Sequence, residues 1–266
     1  MTPTELNNLL DFAVQLGKTA GELSLSRFRG SFSIGRKTDG SLVTSVDHEV
    51  EMLLRKRILE AFPDDSVIGE EEAPWIGSSD RRWIIDPIDG TYSFVHGVPL
   101  YGVLIGMELF GEAILGVVNI PALGEIVYAA RGLGCFWNGT RAKVSTISSL
   151  DHALLLGTDF GFPADDGFSE LTKELEPLVG ARRTWGDCYG HVLVATGRAE
   201  IMLDPIVDIS DCAALLPIIE EAGGHFTDGA GLRSIHGPNA ISTNGLVFGE
   251  VMTVISRLRR TVRSTI

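Results

Sequence analysis

The most constraining feature of this chain is an apolar, β-like run that ends in acid. Trp83-Ile84-Ile85 passes straight into Asp86-Pro87-Ile88-Asp89-Gly90-Thr91. Pro87 restricts Asp86 to an extended backbone. Asp89 follows three residues later, as the chain turns at Gly90. The two carboxylates can therefore converge with the Ile88 carbonyl between them. Hard oxygen donors of this kind suit Mg²⁺, Mn²⁺ or Ca²⁺ rather than zinc. Gly90 and Thr91 can open a helix, and backbone N–H groups at a helix start hold phosphate oxygens. The plainer reading is an acid pair that only caps a helix, and at this point both stand.

Other acids sit in similar places. Gly69-Glu70-Glu71-Glu72 follows the strand-like Ser66-Val67-Ile68. Glu72 reads as part of a solvated turn. Glu70 lies at the very end of its strand, as Asp86 does, and ligand sites of α/β proteins gather at such edges. Asp47 and Asp211 each fall in the first turn of an expected helix, where the dipole favours an acid. Cys212-Ala213-Ala214 after Asp211 would let that helix start approach another element closely.

Periodicity predicts helices over residues 4–28, capped by Thr4, and from Ser45 to a stop at Pro63. Further helices are expected over 167–178, 187–196, 211–222 and 246–260. Strands are expected at 67–68, 83–85, 101–109, 113–118, 125–130, 135–137, 154–156 and 201–203, with turn chemistry over 31–44. The hairpin-rich first half gives way to β/α alternation near 140–150. The expectation is an α/β (α+β) protein in two intimately packed halves, 1–145 and 146–266.

Charge narrows the partners. With 22 Lys and Arg against 35 Asp and Glu, the formal charge is −13. That excess argues against nucleic acid and membrane partners, but not against small anions where a bound cation reverses the local sign. Cys135, Cys188 and Cys212 are widely spaced, which indicates neither a disulfide framework nor a thiolate metal site. They read as buried packers. A cytoplasmic protein is expected.

Taken in order, the motifs resemble the inositol monophosphatase superfamily. They are Asp39-Gly40-Ser41-x-Val43-Thr44-x-x-Asp47, Gly69-Glu70-Glu71, the Trp83–Thr91 segment, Asn138-Gly139, and Asp211-x-Ala213-Ala214 followed by Glu221-Ala222-Gly223-Gly224. The set spans nearly the whole chain. Gly90-Thr91-Tyr92-Ser93-Phe94, Gly97–Gly102 and Arg183-Thr184-Trp185-Gly186-Asp187-Cys188-Tyr189 are most similar to its histidinol-phosphate phosphatase branch. Ser210 departs from the pattern, since the family usually has Trp before its last metal Asp.

The resemblance implies an αβαβα sandwich, a homodimer and Mg²⁺-dependent hydrolysis of a small phosphomonoester. Glu70, Asp86, the Ile88 carbonyl, Asp89 and Asp211 would hold two or three Mg²⁺ ions, with Mn²⁺ as a substitute. Glu70 or Asp47, with the Thr91 hydroxyl, would orient or deprotonate a water. Gly90 and Thr91 would hold the phosphate. Asp187 and Asp204 would take a cationic substrate end. Arg183 would orient one of them or reach across a dimer, or is a surface charge. Tyr189 would touch the substrate ring, or is a core aromatic. Competing expectations are an inositol, fructose-1,6-bisphosphate or adenosine bisphosphate phosphatase, and a regulatory protein that binds metal or phosphate without catalysis.

Overall fold

The computed structural model describes residues 1–159 and 168–263. Residue 167, the expected start of a helix, lies outside that set. Among the described residues the helices are α1 (Pro3–Arg27), α2 (Ser45–Ala61), α3 (Thr91–Val95), α4 (Phe168–Leu175), α5 (Asp187–Ala195), α6 (Ile209–Glu221) and α7 (Phe248–Arg263). Thr2, not Thr4, caps α1. The Glu5 N–H donates to the Thr2 hydroxyl at 3.3 Å, and Thr2 N–H donates to the Glu5 carboxylate at 2.6 Å. This reciprocal box needs the acid three residues on, and Pro3 fits the first helical position.

Residues 31–44 hold more than a turn. They contain the ribbon β1 (Ile34–Arg36) and β2 (Leu42–Thr44), paired antiparallel. A seven-stranded sheet follows in chain order: β3 (Ser66–Gly69), β4 (Arg81–Asp89), β5 (Gly102–Leu109), β6 (Glu112–Ile120), β7 (Glu125–Ala130), β8 (Gly134–Trp137) and β9 (Thr140–Arg141). Only the β3–β4 pair is parallel within it. The pairing of β4 with β5 shifts register between Asp86 and Asp89, where Pro87 has no N–H to donate. That bulge gathers both acids at one end of a central strand.

A five-stranded sheet is ordered β11 (Ala181–Arg183), β10 (Leu154–Gly157), β12 (Ile201–Asp204), β14 (Ala240–Thr243), β13 (His225–Thr227). Helices α1 and α2 pack on one face of the large sheet, in a core that includes Leu10, Leu54, Trp83 and Ile105. Helices α5 and α6 fill the space between the sheets, in a core that joins Ile84 and Leu104 to Val192, Met202 and Ile218. Leu171, Leu175, Val251 and Ile255 of α4 and α7 pack with Leu155, Leu203 and Ile241 on the outer face of the small sheet. The result is a layered αβαβα sandwich. No helix among the described residues is long and apolar enough to cross a membrane.

Two glycines set how closely α6 lies on the large sheet. Gly106 and Gly116 face each other across β5 and β6. A Cβ on Gly106 would meet the Ala213 Cβ at 2.6 Å, and one on Gly116 would run into the Ala214 carbonyl oxygen. The Ala213-Ala214 pair thus seats the helix start that carries Asp211. Gly116→Ala should destabilise the protein by about 1–3 kcal/mol, as overpacking does. Gly249→Ala, which meets nothing within 4 Å, serves as the control. Chemical denaturation measures both, and an unchanged Gly116→Ala midpoint would contradict this seating.

Candidate active site

Strand ends and helix starts bring the acids together. Asp86 and Asp89 come from the bulge at the end of β4, and Asp211 from the first turn of α6. One carboxylate oxygen from each of the three lies within 4.8 Å of the others. Each acid is also anchored by a backbone amide. Ile88 N–H donates to Asp86 Oδ1 at 2.9 Å, Cys188 N–H to Asp89 Oδ2 at 2.6 Å, and Asp208 N–H to Asp211 Oδ2 at 2.7 Å. Asp47 follows the same rule, with Thr44 N–H and hydroxyl on its Oδ2 at 2.9 and 2.5 Å. Its Oδ1 is buried without a hydrogen-bond partner. Asp211 is therefore a capping acid and a member of the cluster at once, and Asp47 is a capping acid that feels the charge of Glu70.

The cost of this proximity shows in the acidities. Burial first, then the charges of Glu70, Asp89 and Asp211, push Asp86 well above the usual carboxylate range. Burial, then Asp187 and Asp211, do the same to Asp89. Asp211 is pushed up to about 7, chiefly by burial and then by Glu70 and Asp204 against the pull of the Asp208 amide. Asp47 is raised by burial, which outweighs its Thr44 donors. Among the described residues no Lys or Arg pairs with Asp86, Asp89 or Asp211. Buried oxygens of one sign, close together and without a cationic side chain, fit a divalent cation.

Glu70 stands just beyond β3, within electrostatic reach of Asp47, Asp86 and Asp211. It is partly exposed and outside the three-acid group. Its carboxylate meets the Lys37 ammonium at 2.6 Å, and Glu71 meets the same ammonium at 2.7 Å. Burial works against the Lys37 charge, but the two glutamates more than offset it and raise its pKa.

Gly90 has φ +78°, and a Cβ there would press on Asp187 Oδ2 and the Leu100 carbonyl at 3.0 and 3.1 Å. The following helix α3 has five residues, so its dipole is small. Phe94 N–H donates to the Gly90 carbonyl, so the amides just before Phe94 precede the first intrahelical bond. The Thr91 hydroxyl donates to the Ile88 carbonyl at 3.1 Å. That carbonyl keeps a second lone pair.

A second pair of acids adjoins the first group. Asp187 opens α5 in the left-handed region, φ +52°, and its N–H donates to Thr158 Oγ1 at 3.0 Å. Its carboxyl is pushed up to about 7 by burial and by Asp204. Asp204, at the end of β12, is buried and has the His191 Nε2 at 3.8 Å.

Two expected substrate residues lie elsewhere. Arg183 is exposed on the edge strand β11, and its guanidinium donates to the Arg182 carbonyl at 2.6 Å. Tyr189 packs against the core, with the Arg198 guanidinium 5.7 Å from its ring centre. The core-aromatic reading describes it, because two residues along α5 turn it to the side away from Asp187. Cys188 touches Asp89, Lys37 touches Glu70 and Glu71, and Thr158 touches Asp187, and none of the three was singled out for such a contact. A hairpin reading of 31–44 would have drawn attention to Lys37; nothing in the sequence marks the other two.

A profile described as the inositol monophosphatase family matches residues 5–261. A histidinol-phosphatase of Chlorobaculum parvum is 44% identical over 94% of this chain and 98% of its own length. A histidinol-phosphatase of Mycobacterium tuberculosis is 37% identical over 92% and 96%. Among solved structures, the Thermotoga maritima IMPase superposes with a TM-score of 0.85 at 32% identity, over 96% of this chain and 99% of that one. The chain belongs to the inositol monophosphatase family and is a phosphomonoesterase.

Proposed function

We propose that this chain hydrolyses L-histidinol phosphate to L-histidinol and phosphate, a step of histidine biosynthesis, as a cytoplasmic homodimer that uses Mg²⁺. The observation that carries this reading is the adjacency of two acidic groups. Asp86, Asp89 and Asp211 fit metal ions beside Gly90 and Thr91. Asp204, buried, and Asp187, half-buried, have no Lys or Arg partner among the described residues and fit the ammonium and imidazolium of the substrate. The two histidinol-phosphatase relatives support the choice of ester.

Glu70, Asp86, the Ile88 carbonyl, Asp89 and Asp211 would hold the metal. Two or three bound Mg²⁺ ions, or Mn²⁺ in their place, would supply a water of lowered pKa and neutralise charge on the phosphate and the leaving oxygen. The amides at Gly90 and Thr91 would take phosphate oxygens. The Thr91 hydroxyl proton lies on the Ile88 carbonyl, which leaves Oγ1 as an acceptor for a proton of the attacking water. Glu70 or Asp47 would receive the other proton of that water, and the unpartnered Asp47 Oδ1 has the free lone pairs to do so. Arg183 pairs with no acid among the described residues, which suits it to a role at the partner's site.

The direct test compares phosphate release from histidinol phosphate and inositol 1-phosphate, at equal concentration with Mg²⁺. Histidinol phosphate should lead in kcat/KM by at least about tenfold, or about 1.4 kcal/mol. Equal or reversed values would overturn the substrate assignment. No release from any ester of a wider panel would point to a regulatory metal- or phosphate-binding protein.

Asp187→Asn should remove a charge-assisted contact of about 1.5–3 kcal/mol. Its kcat/KM should therefore fall by roughly ten- to a hundredfold on histidinol phosphate, and far less on inositol 1-phosphate. Equal losses on both esters would end its role in reading the cationic end.

Metal and pH act together. Asp211 and Asp187 rise from 3.8 to about 7 on folding. A raised carboxyl favours the folded state at low pH, and that contribution fades as pH climbs from the ordinary carboxylate range through about 7. Metal-free protein should thus lose stability between about pH 4 and pH 7, where cations compete increasingly well for the deprotonated oxygens. The melting-temperature gap between saturating Mg²⁺ and EDTA should widen over that range, to roughly 5–10 °C at the upper end. A gap that is absent, or constant with pH, would contradict the site.

A further inference from the structure

Helix α2 carries a second buried acid one turn after Asp47. The Glu51 side chain is fully buried. It accepts Glu71 N–H on Oε2 at 2.8 Å, and Glu72 N–H and Arg55 Nε on Oε1 at 3.0 and 2.7 Å. Arg55 extends the clamp by donating to the Glu72 and Ala73 carbonyls at 2.7 and 3.0 Å. The loop after β3 is therefore held through both its amides and its carbonyls. Gly69 completes the fit, because a Cβ there would collide with the Glu51 carboxylate.

What this clamp holds in place is Glu70. Gly69 pairs with Ile85 in the parallel β3–β4 register, so the next residue on each strand is Glu70 beside Asp86. Glu70 is followed at once by the two clamped amides. We infer that Glu51, braced by Arg55, is a positioning residue that fixes Glu70 against Asp86 and so sets the affinity of the site for divalent metal. The inference rests on the proposed reading of Glu70 as a metal residue. Glu51 itself lies behind the loop and touches neither metal nor substrate.

The chemistry of the clamp demands a carboxylate. All three partners of Glu51 are donors, and a carboxylate accepts from all of them. A carboxamide would turn its NH₂ toward at least one of those donors. Glu51→Gln keeps the shape and should push the loop off Asp86 while leaving the sheet intact.

The test is Mg²⁺ binding by titration calorimetry on the purified full chain, read beside melting temperature in EDTA. Wild type should bind, and Glu51→Gln should bind at least about tenfold more weakly, as loss of a supporting contact does at metal sites. Saturating Mg²⁺ should restore most of kcat. Asp65→Asn is the stability control. Asp65 is buried at the other end of β3, where it accepts from Ser79, Arg81 and Trp83. That variant should lose stability and keep the wild-type Mg²⁺ affinity. Should Glu51→Gln fail to fold, Arg55→Lys carries the same expectation, since it keeps the charge and loses the fork onto the two carbonyls. Affinity within about twofold of wild type in the folded variant, or an equal loss in Asp65→Asn, overturns the inference alone. Wild type that binds no Mg²⁺ overturns the metal reading and the inference with it.

Discussion

The structure is organised around carboxylates held closer than their charges favour. Asp47, Asp86, Asp89 and Asp211 each commit one oxygen to a backbone amide. That bond fixes the side chain and leaves the second oxygen without a backbone donor. Burial and mutual repulsion then raise the pKa values. Left alone, such a cluster is a strain on the fold. Loaded with cations, the same oxygens become a rigid donor set, because the amides have already fixed their positions.

Four of the five layers contribute to the site. The large sheet supplies Asp86 and Asp89 through a bulge at Pro87. Helix α2 on its outer face supplies Asp47 and the Glu51 clamp. Helix α6 supplies Asp211, and reaches the sheet only because Gly106 and Gly116 admit Ala213 and Ala214. The small sheet supplies Asp204 at the end of β12. The site therefore depends on the packing of the two sheets across α5 and α6, and a change at a glycine remote from the chemistry is felt at Asp211.

Much of this was legible in the sequence because the chemistry sits where local patterns end. Apolar strands that run into Glu70 and Asp86, and an acid followed by small residues at Asp211, are visible without a fold. The long helices were legible by period, although Thr2 rather than Thr4 caps the first. The ribbon β1–β2 was hidden because β1 is exposed on every residue and shows no alternation. Strand β11 is hidden in the same way, and β14 is short, with Ser242 and Thr243 among its buried residues. Glu51 was hidden for a different reason. Its partners are main-chain amides some 20 residues away, and a backbone partner leaves no mark in the composition. Tyr189 shows the converse, since a motif can carry a residue whose side chain faces the core.

The first turn of α5 joins the two ends of the proposed substrate. Its Cys188 amide holds Asp89 at the metal end. The residue before it, Asp187, occupies the space a Cβ on Gly90 would need and feels Asp204 at the other end. The metal end needs only a backbone N–H at position 188, which any residue but proline supplies. On the proposed reading the recognition end would need a particular side chain at 187, in a left-handed conformation that Asp tolerates and bulky residues resist. A fold wired this way can exchange substrates by changing one side chain, provided the residue can take φ +52°, while the amide beside it keeps Asp89 in place. Under the proposed arrangement the overall charge of −13 would be no obstacle to an anionic phosphate, because the acids nearest the phosphate would be the ones that cations neutralise, and those left uncompensated would face the cationic end.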